Sequence, residues 1–128
     1  MASGTGERPL GTPAEEKILL SLGGWNVITH EVPSGSGYIY IPRNSSALRT
    51  GLIIFTCGYA NGSGIYTYSR RTQSTGTIEI GAVKAPTRTG VSLTVSGDYV
   101  VLTTDTYQVV RVVYFTGGAP TCSNTAPE

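Results

Sequence analysis

The stretch Val91-Ser92-Leu93-Thr94-Val95-Ser96-Gly97-Asp98-Tyr99-Val100-Val101-Leu102 decides the fold class. Val91, Leu93 and Val95 alternate with Ser92, Thr94 and Ser96, the period of a pleated strand with one apolar and one wetted face. Ser96-Gly97-Asp98 reads as a turn, and the β-branched run Tyr99–Thr104 follows it directly. Thr104-Asp105 marks a further turn into Thr106–Phe115, so the last three strands read as a meander.

Working outward, the same signature recurs at Trp25–Val32, Gly37–Ile41, Gly51–Cys57, Gly64–Ser69, Gly76–Val83 and Gly90–Val95, each bounded by Gly, Pro, Asn or Ser. Asn61-Gly62 is a hairpin signal, because both residues tolerate positive φ. After Leu22 no helical period appears. Short strands at this spacing predict an all-β fold, an antiparallel β-sandwich or jelly roll of about eight strands. One short helix precedes it: Thr12 is a candidate N-cap, Pro13 fits the first helical position, Glu15 completes a capping box, and Gly23-Gly24 stops the run. Pro13–Leu22 then carries Ala14, Ile18 and Leu22 along one edge; a strand over Ile18–Leu22 is the competing assignment. The organisation expected is an arm over residues 1–12, a β-domain with its short helix over 13–116, and a C-terminal tail over 117–128.

The strand Thr106–Phe115 departs from alternation. Tyr107, Val109, Val113 and Phe115 share one face with Arg111, while Val110, Val112 and Tyr114 share the other with Gln108. A strand apolar on both faces is covered on both. A sandwich supplies one cover; the N-terminal helix or another subunit supplies the second. With 13% charged residues in 128, the chain is poor in charge, which favours a subunit, since obligate interfaces resemble a core cut in half. The expectation is a homo-oligomer with Tyr107, Val109, Val110, Val112, Val113, Tyr114 and Phe115 at the interface.

Net charge is +1 and predicts no partner. Its distribution is uneven: residues 1–42 and 89–128 are acidic on balance, residues 43–88 basic. Loop charges that keep a Thr-rich sheet soluble, complementary packing between copies, and phosphate or nucleic-acid binding are three readings of this pattern. No apolar run approaches the roughly 20 residues that span a bilayer, so no membrane contact is expected. The first six residues lack the apolar core of an export signal, and the sequons at Asn44 and Asn61 are read as chance. Cys57 and Cys122 are too few for a disulfide framework.

Residues for chemistry are sparse. His30 is the single histidine, so metal ligation has too thin a donor set, and a Cys57–His30 nucleophile pair lacks an oriented base and oxyanion donors. Glu31, Glu79, Asp98 and Asp105 form no evident carboxylate pair; Asp98 and Asp105 occupy turns, where Asp is favoured by local hydrogen bonds. The stretch Gly58–Gly64 lacks the Lys and following Ser or Thr of a phosphate loop. No catalytic residue, cofactor or metal is expected. Aromatics are the binding candidates: Tyr38 and Tyr40 share one strand face, Tyr66 and Tyr68 another. Such rows serve as cross-strand packing, as subunit interface, or as a platform for sugar rings. Arg70-Arg71 beside Tyr66 and Tyr68 would suit single-stranded nucleic acid, but one dyad is too little to predict it.

The polar arm Met1–Gly11, the strands Gly37-Tyr38-Ile39-Tyr40-Ile41 and Gly76-Thr77-Ile78-Glu79-Ile80, and the closing run Val91–Leu102 together resemble the small β-domains of tailed-bacteriophage particles: fibre tips, head fibres and capsid-decoration proteins. The resemblance is one of style over Trp25–Phe115. It implies a non-enzymatic virion component, made in the host cytoplasm and assembling as a trimer. It would attach to other virion proteins through residues 1–12 and the tail, and contact a host surface glycan. A carbohydrate-binding module with a tyrosine platform at Tyr38, Tyr40, Tyr66 and Tyr68 is the alternative.

Overall fold

The computed structural model describes residues 26–43, 49–70, 76–114 and 119–127. The expected helix over Pro13–Leu22, the arm, Trp25, Arg71 and Phe115 lie outside these residues. The described chain is all-β and antiparallel. Its strands are β1 (Asn26–Val32), β2 (Gly35–Tyr40), β3 (Arg49–Thr56), β4 (Gly64–Arg70), β5 (Ile78–Lys84), β6 (Ser92–Ser96), β7 (Tyr99–Thr104), β8 (Gln108–Tyr114) and β9 (Thr121–Ser123). They form two sheets, a larger one in the order β1-β8-β3-β4-β5 and a smaller one in the order β6-β7-β2-β9. Among the described residues no helix is long and apolar enough to cross a membrane.

Alternation builds the core. Ile53 and Phe55 of β3, Val110 and Val112 of β8, and Tyr66 and Tyr68 of β4 point from the larger sheet; Ile39 of β2, Leu93 of β6 and Val100 and Leu102 of β7 point from the smaller, and all join one buried cluster. Phe55 is fully buried, worth about 1.5–3 kcal/mol over leaving it in water. Its ring stacks on Tyr66 at 5.9 Å and 22°. Gly51 lies where a Cβ would overlap the carbonyl oxygen of Val113 and the ring of Tyr68, so any side chain there would push β3 off its neighbours.

All eight predicted strands form, with ends shifted by a few residues, but the connections differ from expectation. β6 and β7 make the expected hairpin, with Gly97 at φ 59° supplying the positive φ of its two-residue turn. The meander stops there. β8 leaves the smaller sheet and inserts between β1 and β3 of the larger. Thr104 redirects the chain at this point: its hydroxyl donates to Thr106 O (2.8 Å) and accepts from Thr106 N–H (3.1 Å). The β3–β4 connection is also not the positive-φ turn that Asn61-Gly62 suggested. Ala60–Gly62 forms a 3₁₀ turn, and Asn61 O accepts from the backbone N–H groups of Thr87 and Arg88. A long-range hydrogen bond thus replaces the local turn preference. Finally, residues assigned to a tail contain β9. Cys122 pairs with Ile39 and packs against the core, which holds β9 on the edge of β2.

Arg70 joins the two sheets. It ends β4 with its side chain 1% exposed; Nε donates to Gly76 O (2.9 Å), Nη1 to Ile41 O, and Nη2 to the Asp98 carboxylate in the β6–β7 turn. Asp98, expected to serve its turn, also receives Arg43 at 3.4 Å. The hydrogen bond from Arg70 holds the Asp98 carboxyl below the usual carboxylate range. Because the folded value is depressed, this stabilisation is present above the unfolded value of roughly 3.9 and is lost as pH falls toward the folded one. Asp98→Asn is therefore expected to lower stability at pH 7 by about 1 kcal/mol, with the gap to the parent closing in acid; urea unfolding from pH 7 to pH 3 measures it.

Burial pushes the Cys122 thiol up to about 11. At pH 8 its thiolate fraction is on the order of a hundredfold below that of an ordinary cysteine, so iodoacetamide labelling of the folded protein should be correspondingly slow and should recover in denaturant. Labelling of folded Cys122 at the unfolded rate would show that β9 is not docked.

Candidate functional site

β2 is the central element of the site. Ile39 and Ile41 enter the core, so Tyr38 and Tyr40 point to the outer face of the smaller sheet. The register then sets their neighbours. Tyr40 lies between Tyr99 of β7 and Thr121 of β9, and Tyr38 lies between Val101 of β7 and Ser123 of β9. Three tyrosines from two strands thereby converge. The Tyr40 and Tyr99 rings are 5.5 Å apart at 55°, and the Tyr38 and Tyr99 rings are 6.4 Å apart and nearly perpendicular at 89°. Such tilted and edge-to-face pairs are the favoured geometries of aromatic quadrupoles, which keeps the rings fixed while half-exposed.

The segment after β9 completes a groove of about 420 Å³, lined by Tyr38, Tyr40, Tyr99, Thr121, Ser123, Thr125, Ala126 and Pro127. Its wall is tied at two places. β9 pairs with β2, and Asn124 bridges to β1: Asn124 Nδ2 donates to Glu31 O (3.0 Å), and His30 Nε2–H donates to Asn124 Oδ1 (2.8 Å). His30 therefore positions the chain beside the groove. Ser123 and Thr125 make a further local turn, with Thr125 N–H donating to Ser123 Oγ (3.0 Å).

The expected platform divides between the two sheets. Tyr38 and Tyr40 lie in the groove. Tyr66 and Tyr68 do not: they face the core at 9% and 3% exposure, because the β4 register sets them opposite Ile53 and Gly51 on the inner face. Burial raises the Tyr68 hydroxyl to about 12. Tyr99 and the residues 121–127 were missed. The signal for Tyr99 lay in its place directly after the Gly97-Asp98 turn, but no residue pattern says that β7 lies against β2. The dyad Arg70-Arg71 offers no basic platform through Arg70, which is buried in its contact with Asp98.

The expected interface residues also divide. Val110 and Val112 are 1% and 0% exposed within the chain's own core, so they are internal contacts, and Tyr114 packs against that core. Val109, Arg111 and Val113 occupy the outer face of the larger sheet. Tyr107 is 46% exposed, and its hydroxyl is raised by burial and by the Glu31 carboxylate. At the far end of the molecule Arg88 stacks over Tyr59 at 4.3 Å and pairs with Asp105 at 2.9 Å. Both cysteines are free thiols. Among the described residues no three His, Cys, Asp or Glu side chains cluster as metal ligands would.

No protein-family model matches the chain, and no curated protein matches it. Among solved structures it is similar to the tailspike protein gp49 from Acinetobacter baumannii bacteriophage Fri1, a capsular polysaccharide depolymerase, at a TM-score of 0.47 and 13% identity. The match covers 71% of this chain and 17% of the tailspike chain.

Proposed function

We propose that this chain is a non-catalytic carbohydrate-binding β-domain carried on a phage particle, with Tyr38, Tyr40 and Tyr99 as its sugar-contacting platform. The observation that carries the reading is the convergence of these three half-exposed rings in one walled groove. Sugars offer apolar C–H faces ringed by hydroxyls. A groove of tyrosine rings with Thr121, Ser123 and Thr125 hydroxyls offers the complement: apolar area for the C–H face, and groups that both donate and accept. A volume of about 420 Å³ falls within the roughly 300–1,000 Å³ range of small-molecule sites. The phage setting rests on the resemblance of the Gly/Thr/Tyr-rich strands to particle β-domains. Glycan-array screening followed by titration tests the site. Tyr40→Ala and Tyr99→Ala should each weaken a hit by about tenfold or more, about 1.4 kcal/mol, while Tyr66→Phe should leave it unchanged. No binding to any glycan sinks the reading.

A second reading, self-assembly, rests on a separate surface. Register places Leu52 and Ile54 of β3, Ile65 of β4 and Val109 and Val113 of β8 on the outer face of the larger sheet, with Val27 of β1 at one margin and Val83 in the irregularity of the edge strand β5. Val27 and Val83 are 58% and 66% exposed. Arg111 in mid-face and Glu31 and Glu79 toward its edges give the surface charges of both signs, as copies meeting face to face require. Sedimentation velocity at micromolar concentration should show an oligomer that Leu52→Glu dissociates with the β-sheet circular dichroism unchanged; a parent protein that sediments as a monomer removes the reading.

A further inference from the structure

We propose that the groove is selective for a single chain of a neutral glycan, over acidic glycans and over packed polysaccharide surfaces. The inference rests on the glycan-binding reading above and narrows its ligand. Three features of the site carry it.

The first is the chemistry of the lining. Tyr38, Tyr40, Tyr99, Thr121, Ser123 and Thr125 contribute rings and hydroxyls, and Ala126 and Pro127 contribute apolar surface. These are neutral side chains. An acidic sugar brings a carboxylate, sulfate or phosphate that must shed water to enter. Such a group is recovered best by a cationic donor, typically a bidentate guanidinium, which supplies a countercharge along with its hydrogen bonds; neutral hydroxyls supply hydrogen bonds without that countercharge. A neutral sugar has no such cost, and its hydroxyls meet partners that can reverse donor and acceptor roles.

The second is the state of the nearest cations along the chain. Asp98 precedes Tyr99, and it binds both Arg70 and Arg43. Arg70 is spent inside the protein on Ile41 O, Gly76 O and Asp98. Of the two positive charges close to Tyr99, the buried one on Arg70 is thus paired with Asp98, and the pairing weakens the electrostatic steering that would draw an anionic polymer to the groove.

The third is the disposition of the rings. Tyr99 stands at 55° to Tyr40 and 89° to Tyr38. A flat, packed polysaccharide face would need coplanar rings to make area contact. Rings set at these angles instead fit a single strand whose successive sugars rotate about their linkages, with the Thr121–Pro127 wall closing one side.

Titration calorimetry on the full chain tests this with soluble neutral oligosaccharides (gluco-, manno- and galacto-oligomers) and acidic ones (oligogalacturonate, oligosialic acid), each at about 50 and 500 mM NaCl, a change that compresses the Debye length severalfold. The expected result is binding of at least one neutral oligomer, with a Kd that moves less than about twofold between the two salts, and loss of that binding in Tyr99→Ala. Tyr99→Phe keeps the ring and guards against a folding defect. Thr121→Lys should add binding of acidic oligomers that salt abolishes. Salt-sensitive binding of acidic oligomers by the parent protein, with neutral ones silent, overturns the proposal while leaving the glycan reading in place. Retention on insoluble polysaccharide with soluble fragments silent overturns the single-chain part in the same way. Silence toward both oligomer sets and insoluble polysaccharide overturns the glycan reading itself, and this proposal with it.

Discussion

The burial of Ile39 and Ile41 governs the rest of this molecule. Both enter the shared core of the two sheets, and in a pleated strand that leaves Tyr38 and Tyr40 facing outward. A slip of one residue would bury the tyrosines and expose the isoleucines, so the groove is as firmly specified as the core beneath it. The two faces of β2 follow from packing: the inner face stabilises the fold, and the outer face is left half-exposed at no cost to the core.

Two devices keep the sheets in the relation that this requires. Arg70 crosses from β4 to the backbone of Ile41 and to the β6–β7 turn, so the end of β2 and the turn preceding Tyr99 share one guanidinium. A buried charge satisfied by fixed acceptors is costly to rearrange, which suits it to fixing relative position more than to adding net stability. On the opposite flank Asn124 ties the C-terminal segment to Glu31 and His30 of β1. The groove therefore borrows its rigidity from both sheets, although its rings belong to one.

The larger sheet shows a different use of the same alternation. β8 is apolar on both faces, and the two faces have different fates: Val110 and Val112 fill the core, while Val109 and Val113 join Leu52, Ile54 and Ile65 on the outside. Within that outer row Val113 is buried, and Leu52, Ile54, Ile65 and Val109 are half-buried. Reading β8 as one interface element merged these two roles, because sequence spacing separates the faces but does not say which of them meets the chain's own second layer.

What the sequence determined by itself is the set of local states. Period-two alternation together with β-branched runs bounded by turn residues placed all eight long strands, since pleat geometry and β-propensity act within the strand itself. The Gly97 turn was legible for the same reason, and so was the lack of a helical period after Leu22. Only the tertiary structure decided pairing. That β8 departs to the other sheet, that three residues around Cys122 form a strand, and that Tyr99 meets Tyr40 while Tyr66 meets Phe55 all depend on contacts between residues far apart in the chain. Tyr38 and Tyr66 sit in similar local patterns, and which of them sees solvent is settled by which face of each sheet the other sheet covers. That is an energy of assembly, written in no single segment.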